Sequence, residues 1–177
     1  MLGNHTFYVR LWRCAGVLAA LSGCAAPASN TTAAAPAPVA SSPGSVNTDN
    51  PADPASTGVD LAVTNISWSP PKPKVNDAVT FSATVKNKGT VATEEGIVIG
   101  VAFQINDMNV SWSDTNKTSL GPGQSRTLTA NYGPSQTSTW LADVSGEHRL
   151  AAWVDDVNRL PDANRDNNRV EVPLPIQ

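Results

Sequence analysis

Eight oxygen-bearing side chains fall within fourteen residues towards the end of this chain: Asp155, Asp156, Asn158, Asp162, Asn164, Asp166, Asn167 and Asn168. Oxygen-only ligand sets are what a hard cation such as calcium takes, and on that chemistry Asp155, Asp156, Asn158 and Asp162 are the candidate metal ligands. Their spacing is not that of an EF-hand loop, and Arg159 and Arg165 intrude. Asx residues also fill turns because they bond their own backbone. A hairpin connection shaped by Asx turns is therefore the favoured reading; no cofactor is expected, and calcium is the ion to test.

The second set is aromatic. Trp68, Trp112, Trp140 and Trp153, with Tyr132, are many for a domain of this size. Flat aromatic faces grip sugars by their apolar C–H edges when they stand exposed. Trp112 and Trp140 lie in expected edge or loop segments and are the candidate ligand-binding residues. Trp153 is out of phase with Leu150, Ala152 and Val154 and is compatible with either face. Packing inside the fold is the commoner fate of tryptophan, so that alternative stays open.

No nucleophile elbow, phosphate loop, zinc spacing or nucleophile–histidine pair can be assembled. Asp155 and Asp156 would face opposite sides of a strand, which suits acid–base work poorly. The expectation is a protein that is not an enzyme.

One cysteine carries a different chemistry. Leu21-Ser22-Gly23-Cys24 closes a short apolar run preceded by Arg10 and Arg13, and it resembles the cleavage and acylation site of bacterial lipoproteins. Residues 1–23 would then be a signal peptide, and Cys24 would become the lipidated first residue, its anchor partnering a membrane. An ordinary secretory signal cut near Ala25 or Ala28 is the alternative. The run is too short for the ~20 apolar residues that span a bilayer.

Residues 24–58 read as a disordered tether. Ala25 to Gly58 holds ten Ala, six Pro and nine Ser/Thr without an aromatic residue, too little apolar surface to offset ordering entropy. Its coil dimension would be roughly 30 Å and its extended limit about 100 Å. The expected address is the cell envelope, at the outer membrane if the cell has one.

Residues 59–177 then form one folded domain, with ten Lys+Arg against thirteen Asp+Glu and no basic cluster, so nucleic acid is a poor partner. The only cysteines, Cys14 and Cys24, lie outside it. Its stability must come from sheet pairing and apolar burial.

What must position these residues is strands. Val79, Phe81, Ala83 and Val85 alternate with Thr80, Ser82, Thr84 and Lys86, one face dry and one wet. Ile97 to Ile105, Arg126 to Tyr132, Glu147 to Asp155 and Arg169 to Leu174 repeat the pattern, with Asp60 to Ser67 before them. Asn109 to Trp112 reads as a short edge strand left unpaired. Pro70-Pro71-Lys72-Pro73 and Gly121-Pro122-Gly123 interrupt. Gly100 and Ala102 leave room on the face opposite Ile99 and Phe103. The predicted fold is all-β, an immunoglobulin-like β-sandwich of about seven antiparallel strands in two sheets.

Three stretches together resemble the CARDB family, the cell-adhesion-related domain of bacteria. They are Asp77 to Thr90, Leu120-Gly121-Pro122-Gly123, and Val154-Asp155-Asp156-Val157-Asn158 running on to Asn167-Asn168. Where the family usually has glycine, this chain has Asn76, which also accepts left-handed geometry. In the family's acidic tail, Asp162 stands where members tend to carry Glu, and Arg165 where they carry a second acidic residue. The resemblance implies a sandwich displayed on bacterial surface and secreted proteins, with an adhesive or accessory role. Glycan or a surface protein is the expected partner.

Overall fold

The computed structural model describes residues 44–49 and 56–177. Nine strands run in chain order: β1 (Ser45–Asn47), β2 (Leu61–Ser69), β3 (Ala78–Asn87), β4 (Val101–Ile105), β5 (Met108–Ser113), β6 (Ser125–Thr129), β7 (Thr139–Leu141), β8 (Gly146–Val154) and β9 (Arg169–Ile176). One sheet is ordered β1-β2-β3-β6, with β7 also pairing β3; the other is ordered β5-β4-β8-β9. Among the described residues these strands pair antiparallel throughout, and an isolated bridge between Val59 and Asp162 is parallel. The predicted two-sheet sandwich is what forms.

Strand β3 shows why. Val79, Phe81, Ala83 and Val85 are buried, while Thr80, Ser82, Thr84 and Lys86 alternate with them on the wetter face. On that face Ser82 meets Thr129 at 2.8 Å and Thr84 meets Thr127 at 3.0 Å, hydroxyl pairs that fix β6 against β3. The dry face meets its counterpart across the sandwich, where the Phe81 and Phe103 rings lie 5.9 Å apart. Leu61, Ile66, Ile99, Leu150 and Leu174 close around this pair, each at most 1% exposed. Asn76, at φ 74°, takes the left-handed turn before β3.

Two strands exceed the predicted seven. β7 holds Trp140, expected in an edge or loop segment, and β1 lies inside residues 24–58, expected to be tether. β1 pairs Ser45 with Ser67 and Asn47 with Asn65. The Trp68 N–H donates to Gly44 O at 3.0 Å and the Thr48 N–H to Thr64 O at 2.7 Å. Asp49 stands 3.2 Å from the Lys86 ammonium and 3.1 Å from that of Lys88. The sandwich therefore begins earlier than residue 59. Composition summed over the whole tract misses this, because a preformed strand edge supplies hydrogen bonds that three residues can use at small entropic cost.

The segment after β6 also departs from expectation. It crosses to the other sheet, where the Trp112 N–H donates to Tyr132 O at 2.8 Å and the Asn131 N–H to Trp112 O at 2.9 Å. The β5 edge, expected to be unpaired near Asn109 to Trp112, is thus taken at Trp112. Gly133 permits the approach, since a Cβ there would lie 2.8 Å from Val110 O. At the opposite edge, Pro173 and Pro175 sit two apart on β9, facing their missing donors away from β8 and blunting further strand addition.

Two outcomes follow. Phe103→Ala should lower unfolding free energy in urea by about 3–5 kcal/mol, because the ring spans the sheets. The Asp49 carboxyl is raised by partial burial but brought down further by hydrogen bonds and charge from Lys88 and Lys86, so it stands below its ordinary 3.8. A depressed carboxyl contributes stability above its ordinary value and loses it as pH falls through the lower folded value. Asp49→Ala, or acid below that range, should speed hydrogen exchange at the Trp68 amide while amides facing Phe103 stay protected.

Candidate functional site

The outer face of the β5-β4-β8-β9 sheet carries a row of residues in register. Trp112 pairs with Ala102, Ala102 with Trp153, and Trp153 with Arg169. Cross-strand partners share a face, so both indoles stand outside, separated by two strand spacings, about 10 Å. Ala102 between them is buried. The parity of β8 decides the orientation of Trp153: Leu150, Ala152 and Val154 are buried inward, which sends Trp153 outward. That alternation was present in the sequence and was the signal for it.

An open cleft of ≈ 170 Å³ lies at the Trp112 end, lined by Gly100, Asn109, Trp112, Asp114, Asp156 and Arg159. Gly100 keeps its floor low: a Cβ there would lie 3.3 Å from Ser113 O and 2.9 Å from the movable end of Arg159. Burial pushes the Asp156 carboxyl above its ordinary 3.8, with the charge of Arg159 pulling the other way. Trp112 is half-buried and packs on Tyr132 with ring centroids 5.6 Å apart. Tyr132, 45% exposed, extends the aromatic surface. Flat rings beside an amide, carboxylates and a guanidinium suit a ligand with apolar edges and many hydroxyls. No histidine or cysteine lines the cleft.

The rest of the face is tied up in ion pairs. Arg149 pairs with Asp107 and with Glu171, and Arg169 lies 3.0 Å from Asp107 and 3.1 Å from Glu171. Gln104 donates to Asn109 at 2.9 Å and accepts from Arg169 at 3.4 Å. Such exposed pairs hold side chains in place more than they stabilise the fold.

Trp140 is elsewhere. Opposite Val79 on β7, its ring stacks on Phe81 at 6.3 Å and meets the edge of His148 at 5.6 Å. It closes one end of the core, so Trp112 and Trp140 do not share a platform. His148 is held too, Nε2 donating to Val144 O at 2.9 Å and Nδ1 accepting from Asn106 at 3.2 Å.

The acidic loop does not converge on one centre either. Asp155 is 0% exposed and serves the turn after β8. Its Oδ1 accepts the Arg159 N–H at 2.7 Å, its Oδ2 the Leu160 N–H at 3.0 Å, and Arg165 approaches at 3.4 Å. Those bonds make it the organiser of the loop. Asn158 is an exposed turn residue at φ 55°. Asp156 faces the Trp112 cleft, whereas Asp162 reaches the opposite way to the Leu61 N–H at 3.0 Å. Among the described residues no group of three or more His, Cys, Asp or Glu is placed to hold a metal. Cys24 lies outside the described residues, and among those described no helix is long and apolar enough to cross a membrane.

Two antiparallel sheets closed on one apolar core, with a loop-organising aspartate at one end, define an immunoglobulin-like β-sandwich. The CARDB family profile matches residues 58–172, and the chain belongs to that family. Solved structures agree on the fold. A CARDB domain from Pyrococcus furiosus, crystallised in complex with di-metal ions, is 23% identical, with a TM-score of 0.54 over 75% of this chain and 100% of that one. A domain of a putative cell surface protein from Methanosarcina acetivorans is 21% identical, with a TM-score of 0.51 over 67% of this chain and 92% of that one. No curated protein matches the chain.

The turn chemistry can be checked. Asp155→Ala should cost about 3 kcal/mol in urea unfolding, since two backbone donors lose their acceptor, and added calcium should not restore it.

Proposed function

We propose that this chain is a non-catalytic envelope protein, held to the membrane through lipid on Cys24, whose sandwich recognises glycan with the outer face of the β5-β4-β8-β9 sheet. The observation that carries the reading is the row in which Trp112 and Trp153, both half-buried, flank Ala102 on one outward face. Beside it, Asn109, Asp114, Asp156 and Arg159 supply hydrogen-bonding groups at the cleft. Membership of an adhesion-related family agrees with a module that binds rather than transforms. The tetrapeptide ending in Cys24 supports the anchor, and intact-mass analysis of the native amino terminus should find a diacylglyceryl thioether there.

Binding is tested with the purified chain against a panel of envelope and plant-type polysaccharides. Saturable binding is expected, with Trp112→Ala and Trp153→Ala each weakening it about tenfold. That corresponds to an indole covering roughly 60 Å² of apolar sugar surface. Trp140→Ala should lower Tm and leave the affinity of the folded protein unchanged. Absence of binding across the panel, or full affinity in both face variants, overturns the reading.

A further inference from the structure

Where β2 enters its sheet, a polar cluster is buried that the indole face does not use. Asp60 and Asn168 are both 0% exposed. Asp60 Oδ1 accepts from Asn167 Nδ2 at 2.9 Å, which turns the carboxylate towards the loop preceding β9; its Oδ2 has no hydrogen-bond partner. Asp162 approaches from that loop, forming a parallel bridge with Val59. Its Oδ2 accepts the Leu61 N–H and its Oδ1 the Asn164 N–H, each at 3.0 Å. The Oδ1 of Asn168 is likewise unpartnered.

The nearby cations have other duties on this side of the fold. Arg165 sits on Asp155 and donates to Leu160 O at 2.6 Å. The Lys88 ammonium stands 3.1 Å from Asp49, while its backbone N–H donates to Asp60 O at 2.7 Å. Burial raises the Asp162 carboxyl above 3.8; donors on Asn164, Leu61 and Asn168 oppose that rise, and the charge of Asp60 adds to it. Two carboxylates beside a buried amide whose Oδ1 is unpartnered make a doubly negative, oxygen-rich set that holds neither imidazole nor sulfur. A water could donate to Asp60 Oδ2 but would leave the like charges uncompensated.

We propose that Asp60, Asp162 and Asn168 bind a hard divalent cation that ties the start of β2 to the loop before β9. Calcium, which accepts mixed carboxylate and amide oxygens in flexible geometry, is the probe. The site is distinct from the Trp112 cleft, so its fate is independent of glycan binding.

The test is thermal unfolding of the purified full chain, stripped with chelator and then titrated with calcium. A rise in Tm of about 5–10 °C at saturation is expected, with one-to-one binding by calorimetry. Asp60→Asn should abolish the rise without lowering the metal-free Tm, because the amide keeps the bond to Asn167 and removes a buried charge. Asn168→Asp should melt lower than wild type without metal, recover with calcium, and reach half-saturation at several-fold lower concentration. If calcium moves the Tm of neither wild type nor Asn168→Asp and calorimetry shows no binding, the site holds no cation and the proposal fails.

Discussion

Register between β4 and its two neighbours is the constraint on which the rest of this molecule depends. Val101, Phe103 and Ile105 must point into the core, where Phe103 meets Phe81 across the sandwich. Because side chains alternate with a period of two, that requirement alone sends Ala102 outward, and the pairing of Ala102 with Trp112 and Trp153 brings two indoles out with it. A slip of one residue between β4 and its neighbours would put Phe103 on the same face as both tryptophans, so that either the phenylalanine is exposed or the indoles are buried. Core packing and the placement of the two indoles are therefore set by one alignment.

With no cysteine among residues 59–177, the sandwich is closed by other means. The segment after β6 leaves its own sheet and pairs with β5 through Trp112, β1 seals part of the β2 edge, and prolines blunt β9. A buried carboxylate, Asp155, gathers the chain after β8 through bonds to the Arg159 and Leu160 amides. These devices act at the margins of the sheets, where a two-layer fold is most open to pairing with other chains.

Much of this was legible in the residues. The alternation from Val79 to Lys86, the proline break after Ser69 and the asparagine in place of glycine at position 76 each specify local backbone, and each reads directly. The parity of Trp153 was equally readable but left ambiguous, since an indole can serve either face. The three-residue strands β1 and β7 were not, because so short a run has no period to detect and exists only where another strand's edge receives it. The acidic loop, read from the sequence as a hairpin connection shaped by Asx turns, is spread in space for a related reason. Its residues are close in sequence, yet Asp155 turns inward, Asp156 towards Trp112 and Asp162 towards Leu61, a partner 101 positions away. Density of like side chains in a chain does not imply convergence in space, whereas Asp60, remote in sequence, does meet Asn167.

Recognition is proposed for the outward-facing indole row and not for the core-packed ring of Trp140. Indole N–H resonances report this directly, one signal per tryptophan. On titration with a bound oligosaccharide, the Trp112 and Trp153 signals should shift together along a single saturation curve while those of Trp68 and Trp140 stay in place. Movement of the Trp140 signal with Trp112 and Trp153 unmoved would contradict it.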